Sequence, residues 1–415
     1  MRKVTLVRGA RQLLTLRGPS GPRRGADLGN LGIIQDGAVL IVDGLILEVG
    51  PSRRLENLAL ARGAQEIDAS GRVVMPGFAD SHMHLVSGPI RAADYEAPTI
   101  GASDGPAVAR TIHELSPRAL RALALRVVQG AVRHGTTAME AKSGLGLSEA
   151  GELKILRVQA ALRKQQIPLV STYLSARVPP VVHYGADAYL EWSCTHWLPM
   201  VRRRKLAEFA DIRCEEGAFT PEQAVRYLTV ARELGLGVKM STGERSHPGA
   251  IAAAVELAAS SVSPVVNVTE RDALLLGRSP TIATLQPGAA FHLGTARQAP
   301  ARMLIDGGAA VALATGYHPE TSPSENMQMT IALACRALKM TAAEAIVAAT
   351  INGAHAMRRG GSIGSLEAGK SADLLILGVP DYRELPYHFG VNIVDSVMSG
   401  GTLLAERPEV KWPVL

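Results

Sequence analysis

Three cysteines in 415 residues cannot build a disulfide framework, so Cys194, Cys214 and Cys335 point to a reducing, cytoplasmic setting. Aromatic residues are also scarce, at 4%. Without aromatics among its basic residues the chain is not read as a nucleic-acid binder, despite a net charge of +6. No run approaches the ~18 apolar residues of a membrane span, and Arg8, Arg11 and Arg17 interrupt any secretory leader core. Disorder is excluded as well, because 47% hydrophobic and 20% charged residues are globular values. The tightest basic run, Arg202-Arg203-Arg204-Lys205, lies in a helical pattern ending in Leu206 and Phe209 and reads as a solvated helix face. With thiolates few, the eleven histidines direct any metal chemistry toward imidazole and carboxylate.

What is present is a regular alternation. Residues 1–75 read as strands and turns, among them Val4–Val7, Ala38–Val42 and Leu45–Val49, with Asp43-Gly44 as a two-residue hairpin signal. The last 50 or so residues are similar, with Asp373–Leu377, Ile393–Met398 and a Gly400-Gly401 turn, so both ends are expected to pair in one small β domain. Between them eight apolar runs recur: Val73–Asp80, Thr136–Ala141, Pro168–Leu174, Ile212–Cys214 with its flanks, Val238–Thr242, Val262–Val268, Thr281–Leu285 and Ala309–Ala314. Helical patterns such as Pro117–His134, Ser148–Gln165, Pro221–Leu234 and Gly249–Ala259 separate them, and Thr220 with Pro221 and Gln223 carries a helix-start signature. Eight strands alternating with helices predict an α/β chain with a (β/α)8 TIM barrel, whose chemistry belongs at the C-terminal strand ends.

The first of those ends is Pro76-Gly77-Phe78-Ala79-Asp80-Ser81-His82-Met83-His84. Alternation along a strand puts His82 and His84 on one face, a half-site for a divalent metal. The plainer reading is two histidines hydrogen-bonded at a strand end. The segment Val74–His84 resembles the opening of the metal-dependent amidohydrolase superfamily. Further stretches narrow the resemblance to its imidazolonepropionase family: His134–Thr137 leading into Glu140–Gly144, Cys214–Phe219, Ser322–Met327 and Asp381–Asn392. The resemblance runs through nearly the whole chain in order. It implies a barrel over 76–364, a small β-sandwich built from 1–75 and 365–415, and a homodimer acting on a small molecule, with no role for nucleic acid or membrane.

It also implies a divalent metal, zinc or iron, held by the histidine pair, a fifth-strand histidine and an eighth-strand aspartate. His82 and His84 match the pair, but the other positions hold Ser241 and Gly316, and Pro264 stands where a sixth-strand histidine is expected. A catalytic zinc takes three protein ligands and an open position, and general acid–base help contributes ~10²–10⁴ in rate, so metal-hydroxide hydrolysis by the family route is not expected. Glu244 matches the family's proton-transferring glutamate and Arg91 the arginine that holds a substrate carboxylate. His318, Glu320 and Thr321, after the eighth strand, fall at substrate-binding positions. Leu145 replaces an aromatic hydroxyl, Ser175–Pro180 is a shortened loop lacking its histidine, and a glycine-rich loop is largely missing between Ala92 and Thr111. His247, His318 and Glu320 are candidates for rebuilding a metal site beside His82 and His84. Glu140 and Lys142 read as a structural ion pair lining the barrel mouth.

Gly364–Ser371 satisfies the P-loop pattern literally, but the strand Asp373–Leu377 follows where a phosphate cradle needs a helix, so nucleotide binding is not expected. Cys214 and Cys335 read as buried small residues. Two functions remain open at this point. One is an imidazolonepropionase-like hydrolase of a cyclic amide or related C–N bond in a small anionic molecule, with an altered metal site. The other is a catalytically inactive paralogue that binds a small molecule or a partner.

Overall fold

The computed structural model describes residues 2–88, 106–165, 167–179, 185–243, 245 and 248–406. The chain opens with β1 (Val4–Leu14), β2 (Ile33–Val42) and β3 (Leu45–Pro51), an antiparallel set. Asp43 and Gly44 turn β2 into β3 with φ of 50° and 84°, the doubly positive geometry that the Asp-Gly pair favours. β4 (Gln65–Asp68) and β5 (Val73–Pro76) then run parallel to β1.

Eight parallel strands follow in sequential order: β6 (Phe78–Met83), β7 (Thr136–Lys142), β8 (Leu169–Ser175), β9 (Phe209–Arg213), β10 (Gly237–Thr242), β11 (Ser261–Pro264), β12 (Ile282–Leu285) and β13 (Val311–Leu313). The ring closes just beyond β13, where the His84 N–H donates to the Tyr317 carbonyl at 2.7 Å and Met83 bridges Tyr317. Helices connect the strands, and their starts follow the expected signatures. Ser148 caps the helix Glu149–Leu162, and Thr220 with Gln223 forms a reciprocal capping box on Pro221–Glu233. The chain ends in β14 (Leu374–Leu377), β15 (Val394–Ser399) and β16 (Thr402–Glu406), which join β1–β5 in one eight-stranded mixed sheet through β14 beside β5. Both ends thus share a sheet, as expected.

Two expectations need correction. The run Val73–Asp80 is two strands, β5 in the mixed sheet and the start of β6 in the barrel. Gly77 parts them, and a Cβ there would lie 2.1 Å from Thr137 Oγ1. Every described residue of both strands is buried, so hydropathy could not show the break. The helix carrying Arg202 ends at Arg203, and Phe209 opens β9. Lys205 turns the chain with φ of 52°, and Arg202–Lys205 stay exposed as anticipated.

Alternation in the paired strands divides two cores. Val74, Leu374 and Ile376 pack with Leu13, Val39 and Ile41 inside the sheet domain. Val73, Met75, Leu375 and Leu377 belong to the same cluster as Phe78, Ile212 and Tyr227 of the barrel. Near Gly364–Ser371, Lys370 Nζ donates to the Gly360 carbonyl at 2.7 Å and to Ser365 Oγ at 2.6 Å, so this loop is internally tied and feeds a strand. Among the described residues no helix is long and apolar enough to cross a membrane.

Candidate functional site at the barrel mouth

A cavity of about 470 Å³ opens where the C-terminal ends of the barrel strands converge. β6 delivers His82 and, just past its end, His84. Both reach this cavity, as the shared strand face requires. Their rings meet edge to face with centroids 5.6 Å apart, and His318 packs on His84 at 5.2 Å. Burial holds His82 and His84 well below the ordinary histidine range, with Lys142 adding to both. Burial and then Arg213 bring His318 to about 4. All three are neutral imidazoles near pH 7. The other walls carry Arg177, Arg213, Arg245 and Arg297 against two carboxylates, Glu215 and Glu320. Arg213 Nε donates to Glu215 Oε2 at 3.0 Å.

Beneath the mouth lies a compensated charge network. Lys142 bonds Asp211 and lies 3.8 Å from Glu140, while Lys239 Nζ donates to Glu140 Oε2 at 2.6 Å. Thr172 Oγ1 also donates to Glu140. Two cations thus balance two carboxylates, all fully buried, which is the condition under which buried charge is tolerated. Burial works against the charge on Lys142, but Asp211 and Glu140 outweigh it and its pKa rises. For Lys239 burial prevails and the pKa falls. The expected Glu140–Lys142 contact is therefore part of a larger network. It sits below the cavity rather than on its lining, because these side chains point into the barrel axis one layer down. Burial pushes Asp80 up to about 7, opposed by hydrogen bonds from Thr315 Oγ1 at 2.5 Å and Thr315 N–H at 3.1 Å.

Among the described residues, the donors beside His82 and His84 do not complete a metal site. Ser241 Oγ donates to Asp211 Oδ2 at 3.0 Å, turning toward the network. Gly316 has φ of 61°, and a Cβ there would lie 2.6 Å from Gln286 Oε1, so the Gln286 carboxamide fills the space an eighth-strand carboxylate would need. His82 Nδ1 pairs with Ser263 Oγ at 3.0 Å. His318 Nδ1 accepts from the Glu320 N–H at 3.1 Å. The His318 proton is therefore on Nε2, making the ring a donor rather than a ligand. Among the described residues no three His, Cys, Asp or Glu side chains form a metal-holding group. The rebuilt site expected from His247, His318 and Glu320 lies partly outside the described residues, because His247 is not among them.

Of the site residues expected from sequence, His82, His84, His318, Glu320 and Thr321 all line the cavity, as do Ser241, Pro264 and Gly316. Arg91, Glu244 and His247 lie outside the described residues. Sequence reasoning missed Arg177, Arg213 and Gln286 as site residues. Arg213 was signalled by its alternation with the inward Asp211 on β9. Gln286 carried no such signal, because its place beside Gly316 arises only when β12 and β13 come together. Cys214 is buried and its thiol is pushed up to about 12 by burial and Glu215, in keeping with an inert packing role.

The profile of the Amidohydrolase family matches residues 73–404. The chain is 36% identical to the imidazolonepropionase of Alkaliphilus metalliredigens over 98% of its own length and 99% of that protein's. It is 39% identical to that of Chloroflexus aggregans over 96% and 98%. Its fold is similar to that of a zinc-bound adenosine deaminase from Xanthomonas campestris, with a TM-score of 0.71 at 18% identity, covering 99% of this chain and 94% of that one.

Proposed function

The chain belongs to the amidohydrolase family, and from that premise we propose that its barrel mouth receives a small anionic cyclic amide, in a pocket whose metal-holding complement has been dismantled. The observation that carries this reading is the cavity itself. Neutral imidazoles line it together with four arginines and only two carboxylates. Arginines present a bidentate fork for a ligand carboxylate, and a cavity of this size suits a small molecule. The imidazolonepropionase relatives supply the ring class. Because Gln286 fills the space beside Gly316 and Ser241 turns to Asp211, recognition here does not run through a metal-bound water.

A second reading, ring-opening hydrolysis of the C–N bond with Glu244 moving the proton, is favoured by the retained His82–His84 pair at the cavity wall. One experiment separates the two. Protein purified without chelator is assayed for bound zinc and iron, and for loss of ring absorbance on incubation with a hydantoin or imidazolone carboxylate. The first reading expects calorimetric binding, metal well below one equivalent and no ring opening. One tightly held metal, with ring opening abolished by His82→Ala, would overturn it in favour of the second.

A further inference from the structure

A second cavity, of about 380 Å³, lies between the helices Pro117–Arg133 and Glu149–Leu162. No residue lines both it and the barrel mouth. Arg118 and Arg121 stand one turn apart on the first helix, while Lys154, Arg157, Val158 and Ala161 follow one face of the second. The helical period therefore brings two basic pairs, remote in sequence, to one groove with an apolar floor. Lys154 is already committed: its Nζ donates to the carbonyls of Ile112, His113 and Leu115 at 2.8, 3.0 and 3.1 Å, which uses all its N–H groups. Arg118, Arg121 and Arg157 are exposed and have no hydrogen bond or ion pair among the described residues. At the mouth, by contrast, Arg213 is answered by Glu215. Among the described residues no carboxylate lines this groove. The first turn of Pro117–Arg133 holds no acidic residue either, so the positive end of that helix adds to the field.

We propose that this groove binds a small oligophosphate, held by the guanidinium forks of Arg118, Arg121 and Arg157 with Lys154 as a fixed fourth charge. Four cations with no counter-charge favour an anion, and a wall whose charged groups are all donors selects a ligand that presents acceptors. Phosphoryl oxygens meet guanidinium forks in parallel pairs, and three forks exceed what a single carboxylate can satisfy. A linked set of phosphoryl groups supplies both the charge and the spread. Single-stranded nucleic acid is gripped through bases stacked on aromatic rings as well as through its backbone. No aromatic residue lines this groove among the described residues, which favours the small ligand.

Calorimetric titration of the full chain with sodium tripolyphosphate tests this. Wild type is expected to bind one equivalent, more weakly as salt is raised. Arg118→Gln combined with Arg157→Gln should weaken binding by about tenfold or more, and Arg121→Gln alone by about 3- to 5-fold. The single variant keeps the test open if the double one does not fold. A control removes the same two charges elsewhere: Arg203→Gln combined with Arg204→Gln, at residues exposed beyond the groove, should leave the affinity within about twofold. Equal losses in the two double variants would overturn the proposal, since the attraction would then belong to net charge rather than to the groove. Absence of binding to wild type would overturn it outright. A short oligothymidylate that binds more tightly than tripolyphosphate, and loses that affinity in the groove variant, would overturn it in favour of a nucleic-acid strand.

Discussion

Single residues carry large consequences where charge is buried. Lys142 and Asp211 are within bonding contact with almost no exposure, so removing one partner strands the other. Lys142→Met is expected to cost about 3–5 kcal/mol in urea denaturation. Adding Asp211→Asn should recover part of that loss, because the uncompensated charge disappears; a double variant no more stable than the single one would contradict the pairing. At this scale the sequence was partly legible. Alternation placed His82 and His84 correctly, because a two-residue period is a strong constraint. Gln286 was not legible as a site residue, because its role depends on a contact with Gly316 across two strands, and only the folded barrel brings them together.

At the scale of elements the eight strand positions were readable to within a few residues. The barrel strands are short, mostly buried runs separated by helices with recognisable caps, and those caps are local chemistry. What hydropathy could not show was the boundary between β5 and β6, since Val73–Met83 is buried throughout. Geometry sets that boundary. Gly77 lets the chain leave the mixed sheet and enter the barrel against Thr137, whose side-chain atoms would lie 2.1 to 2.7 Å from a Cβ at residue 77. Gly77→Ala is therefore expected to destabilise by about 1–3 kcal/mol through overpacking. Gly63→Ala, where a Cβ meets nothing within 4 Å, should stay within about 0.5 kcal/mol. The comparison of midpoints under one denaturant checks both values, and equal shifts would refute the steric account.

The whole molecule is organised by one contact surface, the face of β5 and β14 that packs onto the barrel. Leu375, fully buried, belongs to a cluster that also holds Phe78 and Ile212. Leu375→Ala should therefore cost about 2–5 kcal/mol and lower tryptophan fluorescence and sheet amide protection together. Separate transitions would show that the two parts unfold independently. Acid stability is also a property of the whole, because groups of opposite sign compete. Asp80, Glu152 and Asp373 are shifted up by burial, so the fold holds their protons more tightly than the unfolded chain does and gains stability as pH falls. The half-buried His355 acts the other way. His355 is brought to about 4 by burial, with Lys370 and Arg23 adding, against 6.5 when unfolded. Between pH 6.5 and 4 the unfolded chain takes a proton that folded His355 refuses, so its contribution is lost as pH drops through that window and is constant below it. His355→Gln removes this one contribution and leaves the opposing acids in place. The slope of stability against pH from 6.5 to 4, measured by urea midpoints, should therefore be smaller in the variant by up to one proton, with parallel curves above pH 7. An unchanged slope would mean that folded His355 titrates as it does in the unfolded chain.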